Sequence, residues 1–139
     1  MATRAGIFCD AGMPIQPTDL TIRPAGRDDI PALVALLADD PLGQSRERPG
    51  DPDAYRRAFD EIAAQSGNSV LVAEGDGVVI GCLQLTIIPG LARYGAKRGQ
   101  IEGVRVAASC RGLGIGERLV RHAIDAARGA GCGLVQLTS

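Results

Sequence analysis

The chain has no excess of charge of either sign: 15 lysines and arginines stand against 16 aspartates and glutamates in 139 residues. That balance gives no support to nucleic-acid binding or to attraction by an anionic membrane, so an anionic ligand has to be held by a local feature. Nor is there an apolar run approaching the roughly 20 residues that cross a bilayer. The N-terminal segment lacks the charged start and long apolar centre of a secretory signal, so a cytoplasmic protein is expected. The four cysteines, Cys9, Cys82, Cys110 and Cys132, stand far apart without metal-ligand spacing, and His122 is the single histidine. No metal is expected from such a set, and the thiols read as reduced. What the chain does have is apolar content, 45% of its residues, enough for the core of one domain.

Residues 1–18 show no sustained period and contain Pro14 and Pro17, which reads as a loose lead-in before a domain over 19–139. Asp19 to Pro24 alternates as a short strand. Asp28 is placed to cap a helix over 29–39 whose apolar positions are Ile30, Leu33, Val34 and Leu37. Pro41 to Gly50 reads as loop. Asp51-Pro52 opens a second helix, with Tyr55, Phe59, Ile62 and Ala63 as its buried stripe. Ser69 to Glu74 turns at Asp76-Gly77 and returns as VVIGCLQLTII, the clearest hairpin in the chain. A glycine-containing loop with Arg93, Lys97 and Arg98 follows, then a strand over Gln100 to Val106. Alternation along it predicts Glu102, Val104 and Val106 on one face and Ile101, Gly103 and Arg105 on the other.

The stretch SCRGLGIGERL, residues 109–119, places glycines at 112, 114 and 116 directly before an amphipathic run. Ile115, Leu119, Val120, Ala123, Ile124 and Ala127 share one face of a helix from about Ile115 to Arg128. A final strand over Gly133 to Thr138 follows. A helix that begins at such a turn leaves backbone N–H groups unpaired at its positive end, which suits a phosphate or diphosphate. Glycines let the ligand approach the main chain and tolerate positive φ. Two common phosphate loops fail on spacing. A dinucleotide fingerprint needs a glycine at Leu119 or at Glu117, and a P-loop needs Lys followed by Ser or Thr where Glu117-Arg118 stands.

The pattern Arg111-x-x-Gly114-x-Gly116, after a strand and before a helix, resembles the signature of the GNAT superfamily of N-acetyltransferases. The resemblance extends to the order of elements, strand, two helices, three strands, helix, strand, over residues 19–139. It implies an α/β (α+β) acyl-CoA N-acyltransferase fold, a mixed and mostly antiparallel sheet flanked by helices. It also implies acetyl-CoA as cosubstrate and transfer of the acetyl group to a primary amine of a small molecule or protein by direct attack. The diphosphate would lie on Arg111, Gly112, Leu113, Gly114, Ile115 and Gly116. The pantetheine arm would run along Val104, Arg105 and Val106 as an added strand. Since a typical amine is protonated near neutral pH, a base is needed, and Glu102 is the candidate. A backbone N–H near Val104 is the candidate to stabilise the charge that builds on the thioester oxygen.

In much of that superfamily a tyrosine on a fourth helix protonates the leaving thiolate, and neither Tyr55 nor Tyr94 maps to it. Tyr55 reads as core and Tyr94 as surface or substrate mouth. Cys110 adjoins the loop, but His122, on the polar face of the next helix, is not placed to serve it as a base. Family members continue past the fifth strand with a helix and usually two strands, whereas this sequence ends at Ser139. The expectation is a truncated product, or a homodimer in which a second copy covers the sheet edge. A non-catalytic acyl-CoA-binding or interaction domain is the alternative reading.

Overall fold

The computed structural model describes residues 20–39 and 41–138, and the expected lead-in over 1–18 lies outside them. Five strands, β1 (Leu20–Pro24), β2 (Asn68–Gly75), β3 (Val78–Ile88), β4 (Lys97–Val106) and β5 (Cys132–Leu137), form one sheet in sequence order. The first four pair antiparallel and β5 runs parallel to β4. The expected mixed, mostly antiparallel sheet is therefore present. The β2–β3 hairpin turns on Asp76 and Gly77 at φ 55° and 80°, the two left-handed positions that a two-residue turn matching strand twist requires.

Helices cover both faces. On one lies α5 (Ile115–Gly129), with Leu119, Ala123 and Ala127 fully buried against Leu83, Leu85 and Ile101. On the other, α1 (Ile30–Leu37) and α3 (Pro52–Ala64) enclose Val72 and Cys82 with Leu33, Leu36 and Phe59. Tyr55, Phe59 and Ile62 are half-buried and Ala63 is exposed, so the α3 stripe is shallower than its period predicts. The close seat of α5 depends on glycines in the strands beneath it. A Cβ at Gly81 would lie 2.9 Å from Leu119 Cδ1, and one at Gly99 would lie 3.0 Å from the Ala127 Cβ.

Three local expectations are corrected. Pro41 to Gly50 is not all loop, because Pro41–Arg46 forms the short helix α2, with proline where no N–H is needed. The expected basic loop is shorter than read: β4 begins at Lys97, since the long β3 supplies Ile87 and Ile88 as partners for Gly99 and Arg98. Pairing across the sheet overrides the loop-like composition. Between β3 and β4 only a single turn, α4 (Ala92–Gly95), remains, with Arg93 and Tyr94 left-handed at φ 57° and 64°. Finally Asp29, not Asp28, organises the entry to α1. Its carboxylate accepts from the Gly26 N–H at 2.7 Å and from Arg23 Nη1 at 2.8 Å, while Arg23 Nε donates to Glu74 at 2.7 Å.

Two outcomes are expected. Gly81→Val overpacks the α5 seat and costs about 1–3 kcal/mol in chemical denaturation. The Arg23 hydrogen bond, helped by the Gly26 N–H and opposed by burial, holds the Asp29 carboxyl below the usual carboxylate range. A depressed folded value means that the unfolded chain binds the proton first, so this stabilisation is present above the ordinary carboxylate value and is lost as pH falls through the folded one. Asp29→Asn should therefore lose up to about 1 kcal/mol at neutral pH and flatten the acid limb of stability against pH.

Candidate active site

The glycine loop is tied down on both sides. The Ala107 N–H donates to Ile80 O at 2.9 Å, the Cys110 N–H to Ala107 O at 2.8 Å and the Ala108 N–H to Asp39 Oδ2 at 3.3 Å. Cys110 and Ile115 are buried beneath the loop, at 2% and 3% exposure. Between these anchors Arg111, Gly112, Leu113 and Gly114 are exposed. Gly112 and Gly114 are left-handed, at φ 84° and 79°, where L side chains are strained. A Cβ on either would meet nothing within 4 Å, so the main chain there is open to a ligand. The first bond of α5 runs from the Arg118 N–H to Gly114 O at 3.1 Å. The N–H groups of Ile115, Gly116 and Glu117 therefore have no acceptor within the helix, at its positive end.

A cavity of about 680 Å³ begins at Gly116, in the first turn of α5, and extends along α5 to β4 and β5, lined also by Val120 and Ile124, by Val104 and Arg105, and by Leu137 and Thr138. Leu42 and Arg46 of α2, from the stretch read as loop, close one side. Strand pairing explains the opening. The register of β4 with β5 ends at Ile101 and Leu137, after which the Thr138 N–H donates to Ile101 O at 2.9 Å. Residues 102–106 of β4 have no strand partner on that side among the described residues. Arg105 lies along this edge, its Nη1 donating to Val104 O at 2.9 Å.

The expected alternation of β4 is broken. On β3 one residue, Leu83, separates Cys82 from Gln84, whereas on β4 Gly103 and Val104 separate their partners Arg105 and Glu102. One extra residue makes a β-bulge at Gly103, whose φ is +67°. Val104 and Val106 consequently pack on the α5 side with Ile101, and Glu102 does not share their face. This corrects the alternation that grouped Glu102 with Val104 and Val106. An isolated glycine inside a strand is the sequence signal that marks such a site.

Glu102 is half-buried, and its Oε1 accepts from Gln100 Nε2 at 3.0 Å. Sequence reasoning missed its polar surroundings. Asn68, Thr86, Gln100 and Gln136 stand in register across four strands. Gln136 Nε2 donates to Gln100 Oε1 at 3.0 Å, and Asn68 Oδ1 accepts from Gln84 Nε2 at 3.0 Å and from Thr86 Oγ1 at 3.2 Å. A half-buried row of three carboxamides and one hydroxyl thus leads to Glu102.

The remaining chemical groups are not gathered here. Tyr55 is half-buried rather than core, and its hydroxyl donates to Glu47 Oε1 and accepts the Arg48 N–H, both at 2.8 Å. Burial raises its pKa. Tyr94 and His122 are exposed, as read. The Lys97 Nζ donates to Ala130 O at 3.4 Å. Cys82 and Cys132 are free thiols, and burial pushes the Cys82 pKa up to about 11. Cys110 is buried, at 2% exposure, and its Sγ stands 3.7 Å from Ser109 Oγ.

Residues 31–139 match the model of the acetyltransferase (GNAT) family. Glucosamine 6-phosphate N-acetyltransferase 1 of Oryza sativa subsp. japonica is 37% identical over 83 residues, covering 58% of this chain and 50% of that protein. The match thus spans only half of the curated relative. Among solved structures, a transcriptional regulator from Bacillus halodurans C-125 superposes with a TM-score of 0.83 at 44% identity, covering 86% of this chain and 81% of that one. An acetyltransferase from Trypanosoma brucei superposes with a TM-score of 0.69 at 27% identity, covering 87% and 83%.

Proposed function

The chain belongs to the acetyltransferase (GNAT) family, and on that premise we propose that it is a cytoplasmic N-acetyltransferase that carries an acetyl group from acetyl-CoA to a primary amine of a small molecule or protein. The observation that carries this reading is a cavity that runs along Val104 and Arg105 to Gly116 in the first turn of α5, directly after the open main-chain cradle at Gly112 and Gly114. The cradle suits the diphosphate through the N–H groups that open α5, with Arg111 beside it. The free edge of β4 suits the amides of the pantetheine arm, which would pair with it as a strand does. In the same reading a second copy covers the outer edge of β5, where Leu134 and Leu137 are exposed.

The residues then divide the chemistry. Glu102 takes a proton from the acceptor ammonium, and the freed nitrogen forms a bond to the acetyl carbonyl carbon. Gly103 and Val104 fall outside the β3 register, opposite Leu83, which supports the Val104 N–H as donor to the oxygen that gains charge. The C–S bond breaks, the nitrogen gives up its second proton to solvent, and the thiolate takes up a proton. With Tyr55 held between Glu47 and Arg48 and Tyr94 exposed, solvent supplies it in this reading.

Gly114→Glu places a carboxylate in the cradle and a side chain at positive φ. Titration calorimetry should show acetyl-CoA binding abolished in a chain that still unfolds cooperatively; retained affinity would sink the cradle assignment. Glu102→Gln should keep acetyl-CoA affinity and lower kcat by about 10²–10⁴-fold on an amine that the parent chain acetylates. If the parent chain binds acetyl-CoA but turns over no member of an amine panel, the non-catalytic acyl-CoA-binding domain is the better description.

A further inference from the structure

On the face of the bulge away from the cofactor cavity lies a second, smaller cavity of about 170 Å³ between α1, α3 and the sheet. Leu33 and Leu37 of α1, Phe59 of α3 and Val70 of β2 form its walls, and Gln84 and Gly103 form its floor. Among the described residues, none that lines it is charged. Gly103 and Val104 are adjacent in the chain, yet Gly103 lines this slot and Val104 lines the cofactor cavity. The bulge is the partition between them. Beside the slot, Gln84 pairs in register with Glu102.

Resting on the reading above, we propose that this slot receives the body of the acceptor, and that the acceptor is a small primary amine carrying a phenyl-sized or branched alkyl group. An apolar cavity of about 150 Å³ is enough to admit benzene. An ammonium group at the floor of the slot meets the Gln84 carboxamide and, in register beside it, the Glu102 carboxylate. A phosphorylated acceptor would bury its phosphate against uncharged walls, losing hydration with no cation to replace it. The slot therefore selects against acceptors of the amino-sugar phosphate class.

Ala58 lines the slot from an exposed position on α3, so a larger side chain there obstructs the slot without entering the core. Titration of the CoA-bound chain with 2-phenylethylamine, ethylamine and glucosamine 6-phosphate tests the proposal directly. The aromatic amine should bind at least about tenfold more tightly than ethylamine, and Ala58→Phe should bring that ratio toward one in a chain with unchanged thermal unfolding. Equal affinities for the two amines, a ratio unmoved by Ala58→Phe, or tighter binding of glucosamine 6-phosphate would overturn it. Acetyl transfer to the sugar phosphate but not to the aromatic amine keeps the enzyme reading and removes the slot. Tight binding of the aromatic amine without transfer keeps the slot and removes the enzyme reading.

Discussion

The seat of α5 on the sheet is the contact on which the other features depend. Leu119, Ala123 and Ala127 are fully buried there, and the helix approaches closely because Gly81 and Gly99 present no side chain beneath it. Burying a side chain such as Leu119 contributes about 1.5–3 kcal/mol. The larger effect is geometric. With the helix held at its first turn by Ile115 and at its last by Ala127, its N-terminus opens beside the end of β4. The unpaired N–H groups and the cavity along Val120 and Ile124 are both consequences of that placement.

The bulge at Gly103 does for β4 what the glycines do for α5. A strand that kept its period would place Glu102 and Val104 on one face of the sheet. The extra residue sends Val104 to the α5 side and leaves Glu102 beside the carboxamide row. Two cavities, one long and one small, then meet at a single peptide unit. In the proposed reaction the acceptor amine and the thioester reach the bulge from opposite sides and meet at its edge.

Much of this was legible in the residues. The hairpin at Asp76-Gly77, the α5 stripe and the positive-φ demand at Gly112 and Gly114 rest on interactions between near neighbours, so local pattern finds them. The errors fall where distant partners decide. Arg98 became strand because β3 is long enough to pair with it, Lys97 because it pairs with Cys132 of β5, and Asp29 displaced Asp28 because Arg23, bridging to Glu74, lies within its reach. The face of Glu102 was misread, because one glycine changed the parity of the strand.

By itself the sequence determined the order of the strands, the buried face of α5 and the glycine turn before it, since each follows from backbone preference and periodicity over a few residues. Only the tertiary structure decided which groups share a site. The in-register row from Asn68 to Gln136, the uncharged slot between α1 and α3 and the division of space at Gly103 arise from segments far apart in the chain. Their coincidence depends on sheet register and helix seating, which local spacing does not encode.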